Sequence, residues 1–254
     1  MDDVLRALDE QHGELAGLIA GLEEVRWRSP TPCEGWDVAD VVLHLAQSDE
    51  LGVATIRASV EGSSLAEGDT GPFGSGMSID DAVAASVDAE RHLAGAQIGE
   101  RWTTASSGLR AALAAADSHL RVRWAVGELS VRTLAATRLS EAWIHSGDVA
   151  SGLGVELVPR DRLRHIARLA WRTLPYAFAQ EGLELHGPVA FDLVGPDGQR
   201  WAFGVDDEPV TTVTGSGLEL CLVAGRRRRP ADTDLVAEGT DATAVLDLVR
   251  TYAL

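Results

Sequence analysis

Ser130-Val131-Arg132-Thr133-Leu134-Ala135-Ala136-Thr137-Arg138-Leu139-Ser140-Glu141-Ala142-Trp143-Ile144-His145-Ser146-Gly147-Asp148-Val149-Ala150-Ser151-Gly152-Leu153-Gly154 is the stretch on which the fold turns. It reads as a strong helix over Ser130 to Leu153, ended by the glycine at position 154. Glu141, His145 and Asp148 stand at i, i+4 and i+7 and leave that helix from one face. The face continues back to Leu134, which turns the three polar side chains inward. A long helix with an imidazole and carboxylates on its inner side belongs in a helical bundle with a polar site in its core.

The residues before it read as further helices. Asp3 to Leu22 carries Leu5, Leu8, His12, Leu15, Leu18 and Ile19 at three- and four-residue intervals. The break Ser29-Pro30-Thr31-Pro32-Cys33-Glu34-Gly35-Trp36 follows. Asp37 is an N-cap candidate for a helix to about Ser59, with Asp40 in its first turn, where negative charge suits the helix dipole. Ile79 to Leu93, Glu100 to Ala115 and Asp161 to Gln180 are also helical in pattern, and the Gly- and Ser-rich residues 62 to 78 form a surface loop or lid.

Beyond residue 183 the apolar period becomes two. Val189, Phe191 and Leu193, the turn Gly195-Pro196-Asp197-Gly198, then Trp201, Phe203 and Val205 predict a β-hairpin. Thr211 to Thr214 and Leu235 to Ala237 are further strand candidates. Leu218 to Ala224 reads as a buried helix, and Thr240 as the cap of a closing helix with Val245, Leu246, Leu248, Val249 and Tyr252 inward. The expected architecture is therefore an α-helical domain over residues 1–182 followed by a small α+β domain over residues 183–254.

Composition narrows the chemistry. The 39 acids and 22 basic residues give a net charge of −17, the wrong sign for a phosphate backbone, and nucleic acid is not an expected partner. Acids outnumber arginines 20 to 5 in residues 1–100 and only 19 to 17 in residues 101–254, so an anionic ligand is expected to meet the second part. No run approaches a membrane span, the first residues lack the pattern of a secretory signal, and Cys33 and Cys221 are too few for a disulfide framework; a cytoplasmic location is expected. Every basic residue is Arg, which rules out Schiff-base and P-loop lysine chemistry. Gly-x-Ser-x-Gly, His-Glu-x-x-His and Gly-x-Gly-x-x-Gly are all missing.

Glu141 and His145, one helical turn apart, can reach one divalent ion, and a third ligand must come from another helix. His44 is the candidate, because it lies among Val41, Val42 and Leu45, where an unpaired imidazole is costly. Asp148 is placed to orient a ligating histidine by taking its second N–H. The spacing alone leaves two other readings open, a solvated Glu/His pair and a hydrogen-bonded core histidine.

Two runs carry a family resemblance. Trp27-Arg28-Ser29-Pro30-Thr31-Pro32-Cys33-Glu34-Gly35-Trp36-Asp37-Val38-Ala39-Asp40-Val41-Val42-Leu43-His44-Leu45 resembles the N-terminal signature of the mycothiol-dependent maleylpyruvate isomerase family. Arg138 to Ala150 is similar to its second metal motif. The resemblance spans nearly the whole chain. It implies a DinB-like metal-binding four-helix bundle followed by a sterol-carrier-like α+β domain. It also implies His44, Glu141 and His145 as ligands of Zn²⁺ or another divalent metal, with mycothiol as thiol cosubstrate. The implied reaction is isomerisation or S-transfer on a small organic acid or electrophile. A thiol-independent hydrolase or cyclase-like enzyme and a metal-stabilised binding protein are the alternatives.

Arg226, Arg227, Arg228 and Arg229 are candidates for thiol or substrate binding, since guanidinium groups suit carboxylates and phosphates. A solvated helix end is the competing reading for that run. Cys33 and Cys221 are expected to pack rather than react. Trp36, Trp124 and Trp143 are core residues or pocket walls, and His12, His92, His119, His165 and His186 are given no function.

Overall fold

The computed structural model describes residues 1–63, 78–124 and 127–251. Residues 64–77, the body of the expected surface loop, and Tyr252 lie outside the described residues. The chain divides into two compact units, with the boundary between Leu157 and Val158.

In the first unit α1 (Asp2–Ile19), the short α2 (Glu24–Trp27), α3 (Val38–Glu61), α4 (Ile79–Glu90) and α5 (Gly95–Ala115) precede a hairpin of β1 (Arg121–Trp124) and β2 (Gly127–Ser130), and α6 (Val131–Leu153) closes the series. Four long helices pack as a bundle, α3 on α5 and α6, and α1 on α6 and α5. The start of α3 follows from its sequence. Asp37 accepts from Asp40 N–H while Asp40 accepts from Asp37 N–H, a reciprocal capping box. Asp40 is fully buried and is held there by Arg91. From Val38 to Ala46 the helix is buried almost all round, with His44 the exception.

At the far helix Ser130 caps Thr133 N–H, and Gly154, the terminus predicted from the sequence, ends α6 with φ 68°. The turn before α3 lies against this end of α6. A Cβ on Gly152 would stand 2.8 Å from the Pro30 carbonyl oxygen, so only glycine lets the turn approach this closely. Trp27 makes a similar demand on α5, because a Cβ on Gly95 would fall 2.1 Å from its Cγ. Gly95→Val should therefore lower stability by about 3 kcal/mol or more, beyond ordinary overpacking, read as the denaturation midpoint in urea; an unchanged midpoint would show that Trp27 can move aside.

The second unit begins with α7 (Leu163–Gln180), continues through β3 (Val189–Val194), β4 (Arg200–Phe203), β5 (Thr211–Ser216), α8 (Gly217–Ala224) and β6 (Val236–Gly239), and ends with α9 (Ala242–Leu248). The sheet order is β4-β3-β5-β6, with β3 parallel to β5 and the other pairs antiparallel. Leu193 faces Trp201 and Phe191 faces Phe203, which is the predicted hairpin. Phe191, Leu193, Trp201 and Val213 are all buried.

Three expectations need correction. The helix placed at the end of a domain reaching residue 182 belongs to the second unit, because α7 packs on α8, α9 and the sheet. The β1/β2 hairpin was not foreseen: only Val122 and Leu129 of its eight residues are buried, too few for a visible alternation. The closing helix is preceded by Asp241 rather than capped by Thr240, and no side chain caps it. Thr240 N–H is spent on the Val210 carbonyl, and the Asp241 carboxylate takes the backbone and ring N–H groups of His186. No helix among the described residues is long and apolar enough to cross a membrane.

Candidate metal centre

His44 projects from α3 and Glu141 and His145 from α6. His44 Nε2 lies 3.5 Å from Glu141 Oε2, and His145 Nε2 lies 3.7 Å from the same oxygen. One donor atom from each residue falls within 4.8 Å of the other two. The imidazole rings meet edge to face, 4.9 Å apart at 74°. The three side chains keep 12%, 20% and 12% of their surface exposed, so the cluster sits in the bundle wall with one side open.

Asp148 is buried and its Oδ2 stands 2.9 Å from His145 Nδ1. That contact keeps a proton on Nδ1, hydrogen-bonded to the carboxylate, so that Nε2, facing His44 and Glu141, is the nitrogen available to a metal. Cys33 donates its S–H to the same Asp148 oxygen at 3.1 Å, and its sulfur is 4.0 Å from His145 Nδ1. The turn that brings Cys33 also brings Trp36, whose ring is tilted against His44 with centroids 5.4 Å apart.

Charge states follow from these neighbours. Burial pushes His44 below the usual imidazole range, partly offset by Glu141, and keeps it neutral. Burial opposes ionisation of Glu141, but hydrogen bonds to His145 and His44 outweigh it and hold the carboxyl well below its ordinary value. Burial likewise opposes protonation of His145, yet Asp148, Cys33 and Glu141 together raise it well above the ordinary value. Without a metal His145 is thus an imidazolium, with its Nδ1 proton on Asp148 and a second proton on Nε2 toward Glu141, and it is the Nε2 proton that a metal there displaces.

The donor set fits a divalent ion. A tetrahedral ion with bonds of about 2.0 to 2.1 Å separates its donors by about 3.4 Å, close to the 3.5 and 3.7 Å spacings here. Two imidazoles and a carboxylate are ligands suited to zinc, and three protein donors leave a fourth position for water or thiol.

Below the cluster the bundle carries a buried polar layer. Arg138 donates from Nε to Asp49 Oδ1 at 3.1 Å and from Nη2 to Ser48 Oγ at 3.0 Å, and its guanidinium lies 5.9 Å from the Trp124 ring centroid. Burial pushes Asp49 up to about 6, against the pull of Arg138. His12 accepts from Arg110 at 2.7 Å, and burial reinforced by Arg110 depresses it to about 3, so it is neutral. Cys221 is fully buried in α8, as expected from its sequence context.

The arginine run follows the end of α8 and is exposed. Arg226 donates to the Asp247 carbonyl, Arg228 stands 3.4 Å from a Glu219 carboxylate oxygen, and Arg229 pairs with Asp232 at 2.8 Å. Local sequence marks neither Cys33, expected to pack, nor Asp49 as a neighbour of the site. Their partners are 115 and 89 residues away in the chain, and no local pattern signals such pairs.

Residues 8–150 match the family model described as the mycothiol maleylpyruvate isomerase N-terminal domain. An uncharacterized protein of Mycobacterium tuberculosis, recorded in two strains, is 30% identical over 247 residues, covering 97% of this chain and 93% of the relative. Two crystal structures of the mycothiol-dependent maleylpyruvate isomerase, one of them a point mutant, share the fold with a TM-score of 0.63, at 18% and 17% identity over 93% of this chain and 92% of theirs.

Proposed function

Since the chain belongs to the family of the mycothiol maleylpyruvate isomerase N-terminal domain, we propose that it is a thiol-dependent enzyme. Its centre is a divalent metal, Zn²⁺ by ligand type, held by His44, Glu141 and His145. The observation that carries this reading is the convergence of His44 Nε2, Glu141 Oε2 and His145 Nε2 with Asp148 seated on the far nitrogen of His145. When bound, the metal supplies the means to hold a small thiol, mycothiol by family, as thiolate at neutral pH.

The chain's own residues do the rest. Asp148 orients His145, and burial keeps His44 in the neutral form that can donate a lone pair. Trp36 walls the His44 side and limits water there. Arg226, Arg227, Arg228 and Arg229 are exposed cationic groups of the second unit, of a kind suited to binding a carboxylate. The substrate is a small organic acid or electrophile with an activated double bond. Thiolate addition turns the double bond into a single carbon–carbon bond; rotation about that bond and expulsion of the thiolate give isomerisation, whereas protonation and retention of the adduct give S-transfer. The setting is the cytoplasm.

Titrating Co²⁺-loaded protein with mycothiol tests this reading. A new sulfur-to-metal charge-transfer band saturating at about one thiol per metal is expected, since cobalt takes the same donors as zinc. A cobalt spectrum indifferent to mycothiol would remove the thiol and leave metal-assisted hydrolysis as the better reading.

A further inference from the structure

The metal cluster joins α3 to α6 at one level. One helical turn away, at the level of Ser48, Asp49 and Arg138, a second set of contacts joins the same two helices. Arg138 precedes Glu141 by three residues on α6, and Ser48 and Asp49 follow His44 by four and five on α3. Moving forward along one helix while moving back along the other, the contacts pass from His44 with Glu141 and His145 to Ser48 and Asp49 with Arg138, so the two levels are successive rungs between antiparallel helices. The lower rung also reaches the first ligand directly: Ser48 Oγ accepts from Arg138 at 3.0 Å and donates to the His44 carbonyl at 2.8 Å.

We propose that Asp49, Arg138 and Ser48 are positioning residues that set the register of α3 against α6, and thereby hold His44 at ligating distance from Glu141 and His145. The proposal rests on the metal reading above. Its physical ground is that stability gives no reason for this pair. Arg138 and Asp49 are 2% and 1% exposed, both give up hydration, and Asp49 Oδ2 has no hydrogen-bond partner among the described residues. A buried charge pair of this kind is often matched or bettered in stability by apolar side chains of similar volume. What apolar side chains do not reproduce is direction. They slide along a helix interface, whereas a guanidinium fork engaging a carboxylate and a hydroxyl from adjacent residues accepts one axial offset and one rotation. Trp124, reaching in from the β1/β2 hairpin, backs the guanidinium and limits its movement on that side.

The alternative is a pair that only fills the core. The two are separated by the Asp49→Leu/Arg138→Met double variant, with Ser48→Ala and Arg138→Lys beside it. Each is followed by thermal unfolding of the metal-free protein and by Co²⁺ affinity measured against a competing chelator. The double variant is expected to unfold near or above the parent temperature and yet bind Co²⁺ about tenfold more weakly or worse, the size of effect usual for residues that orient ligands. An altered cobalt ligand-field spectrum should accompany the loss. Ser48→Ala and Arg138→Lys, which disturb the rung without emptying it, should weaken binding in the same direction with the fold intact.

Parent-like cobalt affinity and spectrum in the folded double variant would overturn the proposal. If that variant does not fold, unchanged affinity in both Ser48→Ala and Arg138→Lys would overturn it equally. A parent chain that binds no Co²⁺ would instead sink the metal reading, and the register proposal with it, before any variant is compared.

Discussion

His44→Ala and His145→Ala should each empty the centre. Elemental analysis of the purified parent is expected to give about one divalent metal per chain and the variants a small fraction of that, because losing one of three protein donors leaves two, too few to hold the ion against water. Neither change should unfold the bundle. Both imidazoles lie in its wall with 12% of their surface exposed, and the packed residues beside His44, from Val38 to Ala46, are untouched. Asp148→Asn keeps all three donors and removes only the carboxylate that orients His145, so affinity should fall by roughly ten- to a hundredfold rather than vanish. The order parent, Asp148→Asn, then the two histidine variants distinguishes a ligand set from a cluster of hydrogen bonds. Variants that retain the parent's metal would refute the assignment.

The second large effect is in pH. His145 is held protonated above the ordinary histidine range by Asp148, Cys33 and Glu141, against the opposing effect of burial. A metal must displace that proton. Apparent affinity should therefore rise as pH increases through neutrality, by up to roughly tenfold per pH unit while one proton is exchanged, and level off above the raised value. Glu141, held ionised far below neutrality, contributes no slope in this range. His44 is depressed by burial and has already lost its proton, so it contributes none either. Chelator competition at several pH values from about 6 to 9 measures the slope against the ordinary histidine value of about 6.5. Affinity independent of pH there would mean that His145 is not the residue carrying the competing proton.

Much of this structure can be read from local sequence, and the reason is physical. Asp37 and Asp40 cap each other across three residues, Ser130 and Gly154 bracket α6, and Val189 to Phe203 alternates because one side of the hairpin is buried. These are short-range constraints, and they leave short-range marks. Glu141 and His145 share a face for the same reason, and His44 is the polar residue among Val41, Val42 and Leu45. The illegible features are long-range. Nothing near Asp161 to Gln180 says which unit its apolar face will join, and the partners of Cys33 and Asp49 are fixed only when the helices pack. The arginine run shows the opposite limit: its composition is conspicuous, but Arg226 and Arg229 are engaged by a nearby carbonyl and carboxylate, which sequence alone could not foresee.

The packing of α1 against α6, with Gln11 donating to the buried Ser146 at 3.0 Å, has a consequence for how the protein is made. Within this unit α1 is synthesised before the other helices, and its main partner is the last of them, α6. Until synthesis passes His145 the three donors do not exist together, and until it passes Leu153 α1 and α3 lack the full surface of α6. On the proposed ligand set, metal capture would therefore be a late event in biogenesis. A nascent chain cut short anywhere within α6 holds an apolar α1 face open to chaperones and proteases, while an ion that finds the finished centre ties the end of the unit back to its middle.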